Sequence, residues 1–232
     1  MRSPNRLAMV VAIAAVGLLP IGISAQPATV SAELAFRSKY LFAGIPFAAE
    51  QVQQAKVTVV AGSFTVNAFS VYDIDASDVT ETDIYGDYYF QAAPKVGIFL
   101  GGALYRFKYD VWESTPELYG GVVISAPLNP TLFVAHDFDL GDGTHAMLML
   151  SHSVPLGDSG VTLDLAGNVD YNAEYYTTAS GLSFVDVSAA IAIPVGPLTV
   201  SPMFLIQRRL DDAFLMVIPD EELFGVTASF TF

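Results

Sequence analysis

The chain has 232 residues, 53% of them hydrophobic and 12% aromatic, with a net charge of −14 and no cysteine. Such acidity argues against nucleic acid as a partner. The lack of Cys excludes disulfides, thiolate chemistry and a lipid-modified N-terminus, and the richness in Val, Phe and Tyr separates the chain from acidic disordered proteins.

Residues 1–25 have the parts of a cleavable secretory signal. Arg2 and Arg6 form a basic start, Leu7 to Ile23 carries no charge, and Ile23-Ser24-Ala25 ends on a small residue before Gln26. As an uncleaved anchor the run is short, contains Gly and Pro, and lacks a charged stop. Removal of this signal leaves one domain, 26–232, more acidic still. No later run reaches the roughly 18 apolar residues of a membrane helix.

After the signal the apolar residues fall at every second position. Leu34, Phe36, Tyr40 and Phe42 oppose Glu33, Arg37 and Lys39; Ile84, Tyr88 and Phe90 oppose Asp83, Tyr85 and Asp87. Val161, Leu163, Leu165, Val169 and Tyr171 oppose Thr162, Asp164, Asn168 and Asp170. The pattern predicts twelve strands, at 31–43, 52–61, 64–74, 82–92, 96–110, 117–126, 131–140, 145–155, 161–173, 182–194, 198–209 and 223–232.

The connections alternate in length. Tight turns rich in Gly and Pro follow the even strands, at 62–63, 93–95, 127–130, 157–160 and 195–197. Longer, mostly acidic loops follow the odd strands, at 44–51, 75–81, 111–116, 174–181 and 210–222, with only 141–144 short. This is the mark of an up-and-down transmembrane β-barrel: all-β, antiparallel, with periplasmic turns, outward loops and both termini in the periplasm. A soluble lipocalin-like barrel would turn its apolar face inward, and would rarely need twelve such strands. Tyr40, Phe42, Tyr105, Phe107, Tyr109, Tyr171, Tyr175 and Tyr176 stand near strand ends and read as interfacial aromatics. The predicted location is the bacterial outer membrane, with its lipid and lipopolysaccharide as partners.

Two resemblances follow. The last strand ends on Phe232, with Phe224, Val226 and Phe230 at alternate positions before it; it resembles the C-terminal signal that outer-membrane barrels present to the barrel-assembly machinery. Ser38-Lys39-Tyr40-Leu41-Phe42-Ala43-Gly44-Ile45 resembles the S-x-Y-x-F-x-G-I opening of the TorF-type porin family, and 83–86 and 115–120 are similar to its later strands. That resemblance implies a small outer-membrane barrel that passes solutes, with no catalytic residues.

The polar face supplies the candidate pore lining: Arg37, Lys39, Lys56, Asp83, Asp87, Arg106, Lys108, Glu117, Asp164, Asn168, Asp170 and Arg209, together with Glu33, Asp137, Asp186 and Gln207. Arg37, Lys39, Arg106 and Lys108 facing carboxylates would set a transverse field for solutes, and the bases cluster near the outer strand ends as an anion-attracting mouth would have them. The alternative is charge ladders that fill a narrow interior, leaving a plugged structural or adhesive barrel that acts through its acidic loops. An outer-membrane lipid-modifying enzyme is the third reading. It needs a Ser and His within reach of each other, whereas Ser151 and Ser153 point away from His152 in a strand. Asp137 to Gly143 departs from calcium-loop spacing. No cofactor or metal is implied, and the expected partners are small solutes; the oligomeric state is not legible.

Overall fold

The structure, a computed structural model, describes residues 28–108 and 111–232. The signal reading of 1–25 and Tyr109 lie outside them.

Twelve strands form one closed antiparallel barrel. They are β1 (Thr29–Arg37), β4 (Val52–Ala61), β5 (Phe64–Asp73), β6 (Asp78–Ala93), β7 (Val96–Lys108), β8 (Trp112–Ile124), β9 (Thr131–Asp137), β10 (Gly143–Pro155), β11 (Thr162–Ala173), β12 (Ser180–Val195), β13 (Leu198–Arg209) and β14 (Glu221–Thr231). Two short strands, β2 (Tyr40–Phe42) and β3 (Ile45–Ala48), form a separate hairpin in the first loop. Each barrel strand pairs with its sequence neighbour, and β1 closes the ring on β14, with Ser31 opposite Thr231 and Arg37 opposite Gly225. Closure satisfies every edge, as a sheet surrounded by hydrocarbon must.

The five tight turns fall where the Gly and Pro residues predict them. Gly62, Gly157, Gly160 and Gly196 take positive φ there. They define a turn rim, where β1 also starts and β14 ends; the longer connections define a loop rim.

The exterior decides the solvent. Leu34, Ile84, Leu100 and Leu118 point outward and are 60–62% exposed, and Val66, Leu132, Val187 and Phe224 continue the belt around the barrel. Leaving one such side chain in water forfeits about 1.5–3 kcal/mol. Over a whole ring only a bilayer makes the arrangement stable. A soluble barrel would bury this face.

The interior differs along the axis. Near the turn rim the inward residues, among them Lys56, Thr58 and Asp87, are half-exposed. Toward the loop rim lie Glu81, Asp83, Thr115, Glu117, Asp137, His145, Asp170, Asn172, Asp186 and Gln207, all buried. Something fills that half.

Candidate functional site

The filling is the first loop. The alternation through 31–43 predicts one long strand, but β1 stops at Arg37. Beyond Ser38 the chain turns into the lumen as the β2–β3 hairpin, with Phe42 paired to Ile45. Ala43 and Gly44 form its two-residue turn with φ of 47° and 79°, the left-handed pair that a type I′ hairpin requires. The sequence pattern broke here because the hairpin alternates like a barrel strand while packing against the inside of one.

The hairpin is held at three points. The Tyr40 hydroxyl donates to the Glu81 carboxylate at 2.8 Å. Gln207 donates from Nε2 to the Gly44 carbonyl at 2.8 Å and to the Pro219 carbonyl at 3.1 Å. The Phe42 ring sits in an aromatic nest, 5.2 Å from Tyr105, 5.3 Å from Phe47, 5.9 Å from Tyr176, 6.0 Å from Phe107 and 6.2 Å from Tyr175. Tyr40, Phe42, Tyr105, Phe107, Tyr175 and Tyr176 are therefore lumen aromatics and not members of an interfacial girdle. Tyr40, Phe107 and Tyr175 are buried there among the other rings. Tyr171, 48% exposed, keeps the outward position expected of it.

Two further loops close over the hairpin. A 3-10 turn at Asp212–Phe214, capped by the Asp211 side chain accepting from the Ala213 N–H, drops Phe214 and Ile218 onto Phe184 and Ile45. In the loop after β11, Asn172 bonds both the N–H and the C=O of Tyr175, fixing that ring inward. The Tyr175 hydroxyl donates to Glu117 at 2.6 Å, and Tyr105 donates to the other oxygen at 2.8 Å. Burial, with the Glu117 carboxylate beside it, raises the Tyr175 phenol well above its ordinary pKa. Asp137 ties down the β9–β10 loop. One of its oxygens accepts from Thr115 Oγ1 at 2.5 Å and from the N–H groups of Asp139 and Gly141 at 2.9 Å. The calcium-like run is thus a carboxylate-organised turn.

Beneath the hairpin tip lies a cavity of about 290 Å³, lined by Phe42, Gly44, Glu117, Phe133, His145, Tyr175, Phe184, Asp186 and Gln207 among others. Phe133 continues toward the turn rim into Tyr119 and Phe99, with ring centroids 5.8 and 6.3 Å away.

Most of the predicted pore lining does face inward. Lys56 pairs with Glu33 at 3.0 Å, and Arg37 donates to Thr227 at 2.9 Å. Asp164 accepts from Thr162 at 3.1 Å, Asn168 donates to Asp186 at 2.8 Å, and Asp170 accepts from Ser183 at 2.5 Å and faces His145 Nδ1 at 3.1 Å. Asp83 and Asp87 share the inward face of β6 with Glu81. Lys39 sits at the loop rim paired with Glu221, and Arg209 at the same rim with Asp212 at 3.2 Å.

Arg106 and Lys108 differ from expectation. They share the parity of Leu100 and Leu104, which face outward, while Ala103, Tyr105 and Phe107 point in. Arg106 lies 5.3 Å from the centre of the Trp112 ring on the outer face, and Lys108 pairs with Asp78. Tyr105 and Phe107, being apolar enough to suit either face, hid the true register. Arg106 and Lys108 therefore stand outside the lumen, while Lys39 and Arg209 at the loop rim are each paired with an acid. On β14, Phe224 and Val226 face outward, and Phe230 and Phe232 end the strand in edge contact at 4.5 Å.

The fold and this interior define a closed twelve-stranded outer-membrane β-barrel with its first loop folded inward. No known sequence family and no curated relative matches the chain. Among solved structures it is similar to the KdgM porin at 10% identity and a TM-score of 0.54, over 88% of this chain and 99% of that one. It is likewise similar to the NanC porin at 8% identity and a TM-score of 0.54, over 87% and 98%. KdgM is also seen in complex with disordered oligogalacturonate, again at a TM-score of 0.54.

Proposed function

We propose that this protein is an outer-membrane porin, a passive channel for small solutes, with its turn rim in the periplasm and its loop rim outside. The observation that carries the reading is the interior: polar side chains that are half-exposed toward the turn rim, and a cavity under an inward-folded hairpin. A hydrated path narrowed by one loop is what size-limited diffusion needs. The porin-like fold supports it. So does the resemblance to TorF-type porins, because Tyr40, Phe42, Gly44 and Ile45, the residues that carry it, are the ones that build the hairpin. Residues 1–25 would be the export signal. Phe224, Val226, Phe230 and Phe232 would present the assembly signal, and outer-membrane lipid and lipopolysaccharide would surround the belt.

A second reading has its own observation. Tyr175, Phe214 and Ile218 are fully buried across the loop rim, as in a plugged barrel acting through its loops. Refolded 26–232 in a planar bilayer separates the two: discrete current steps support the porin, and an inserted, folded protein without steps supports the plug.

A further inference from the structure

The cavity beneath the hairpin tip is where a solute would pause, and its wall has a definite chemistry. At about 290 Å³ it is near the lower end of small-molecule pockets, roughly 300 Å³. Two carboxyl groups stand on it, Glu117 from β8 and Asp186 from β12. Both oxygens of Glu117 accept phenol hydrogens, and Asp186 accepts from an amide. These are the partners that an ionised carboxylate takes.

Positive charge is held elsewhere. Lys56, Lys39 and Arg209 each pair with another acid, Glu33, Glu221 and Asp212. Arg37 bonds a threonine, and Arg208 pairs with Glu222 at the barrel exterior. Among the described residues lining the cavity, His145 is the one base, and Asp170 holds its Nδ1. Much of the remaining wall is aromatic, with Phe42, Phe133, Tyr175 and Phe184 beside the apolar Leu41, Met147 and Leu205. Ring faces attract cations by about 0.5–2 kcal/mol, most strongly when water is excluded. A narrow low-dielectric cleft lined by one sign of charge also focuses its field on the axis.

We propose that this cavity binds a small organic cation, an amine or guanidinium on an apolar body, and that the channel passes such cations in preference to anions. The proposal rests on the channel reading and supplies its substrate class. A polyanion such as the oligogalacturonate held by KdgM would meet the wrong sign here.

The test uses three probes with one ring and three charges: benzylamine, benzyl alcohol and benzoate. Each is titrated calorimetrically into the folded barrel in detergent. Benzylamine is expected to bind, benzyl alcohol at least about tenfold more weakly, and benzoate not at all; tenfold is the lower end for losing a contact to a charged group. Asp186→Asn and Glu117→Gln are each expected to weaken benzylamine about tenfold or more, with folding checked by heat-modifiable gel migration. Asp186→Asn keeps the test alive if Glu117→Gln does not fold, since its amide oxygen can still accept from Asn168. Equal binding of benzyl alcohol, tighter binding of benzoate, no binding of benzylamine, or an Asp186→Asn variant that binds as before would overturn the site. Conductance is read separately. Current steps without a benzylamine preference remove the cation site and leave the channel, whereas benzylamine binding by a barrel that passes no current keeps the site and removes the channel.

Discussion

Phe42→Ala is the sharpest perturbation of the constriction. The ring contacts five other aromatic side chains within 6.2 Å, so its loss resembles a core Phe→Ala change of about 3–5 kcal/mol. The hydrogen bonds from Tyr40 to Glu81 and from Gln207 to Gly44 remain. They contribute about 0.5–1.5 kcal/mol each. The ring is thus the largest single anchor of the hairpin. The barrel ladders do not depend on it, so most of its loss falls on the docked state. At 1.4 kcal/mol per factor of ten, the displaced population rises by about two to three orders of magnitude. The assay is single-channel recording of wild type and variant side by side. The variant is expected to show larger or longer open steps while its far-ultraviolet β signature is retained. Unchanged conductance in a folded Phe42→Ala barrel would refute the constriction and place the narrow point elsewhere.

Four other outcomes follow from the same geometry. Gly44→Val places a β-branched side chain at a φ of 79° and drives its Cβ to 2.5 Å from the Phe184 ring; limited proteolysis should cut the first loop of this variant and spare the wild type. Gln207→Ala leaves the Gly44 and Pro219 carbonyls without their donor, a cost of about 1–3 kcal/mol that a denaturant midpoint would report. Changing Arg106 and Lys108 to Glu should leave ion preference unchanged, since both stand outside the lumen; a reversed preference would contradict the register of β7. The Tyr175 phenol has a folded pKa raised above its unfolded value of about 10, so the stability it gives is complete below that pH and is lost as pH climbs above it. Tyr175→Phe should therefore flatten the alkaline fall in melting temperature.

Much of the barrel was legible because strand period and turn chemistry are local. Gly62-Ser63 and Gly196-Pro197 announce their turns, and the Leu34–Phe36 and Leu163–Leu165 alternation needs no partner to be seen. The outer ends were harder. Tyr40 and Phe42 continue the alternation of β1, so nothing local marks where the wall ends and the hairpin begins. Only contacts with Tyr105, Tyr175 and Gln207, far away in sequence, show it. Arg106 and Lys108 looked like pore residues because a charge on a membrane strand is expected inside. Near the rim, Trp112 gives Arg106 an outward partner instead. Glu117 and Asp186 were visible as inward acids, but their meeting at one cavity depends on the curvature of the closed barrel, which lets β8 and β12, four strands apart, line the same space.

The most direct test of the channel is ion selectivity of refolded 26–232 across a planar bilayer under a potassium chloride gradient. A porin with this acidic lumen gives discrete steps and a reversal potential of the sign that marks cation preference. Steps with anion preference would contradict the charge assigned to the lumen, and a folded, inserted protein that stays silent, even as Phe42→Ala, would contradict the channel itself.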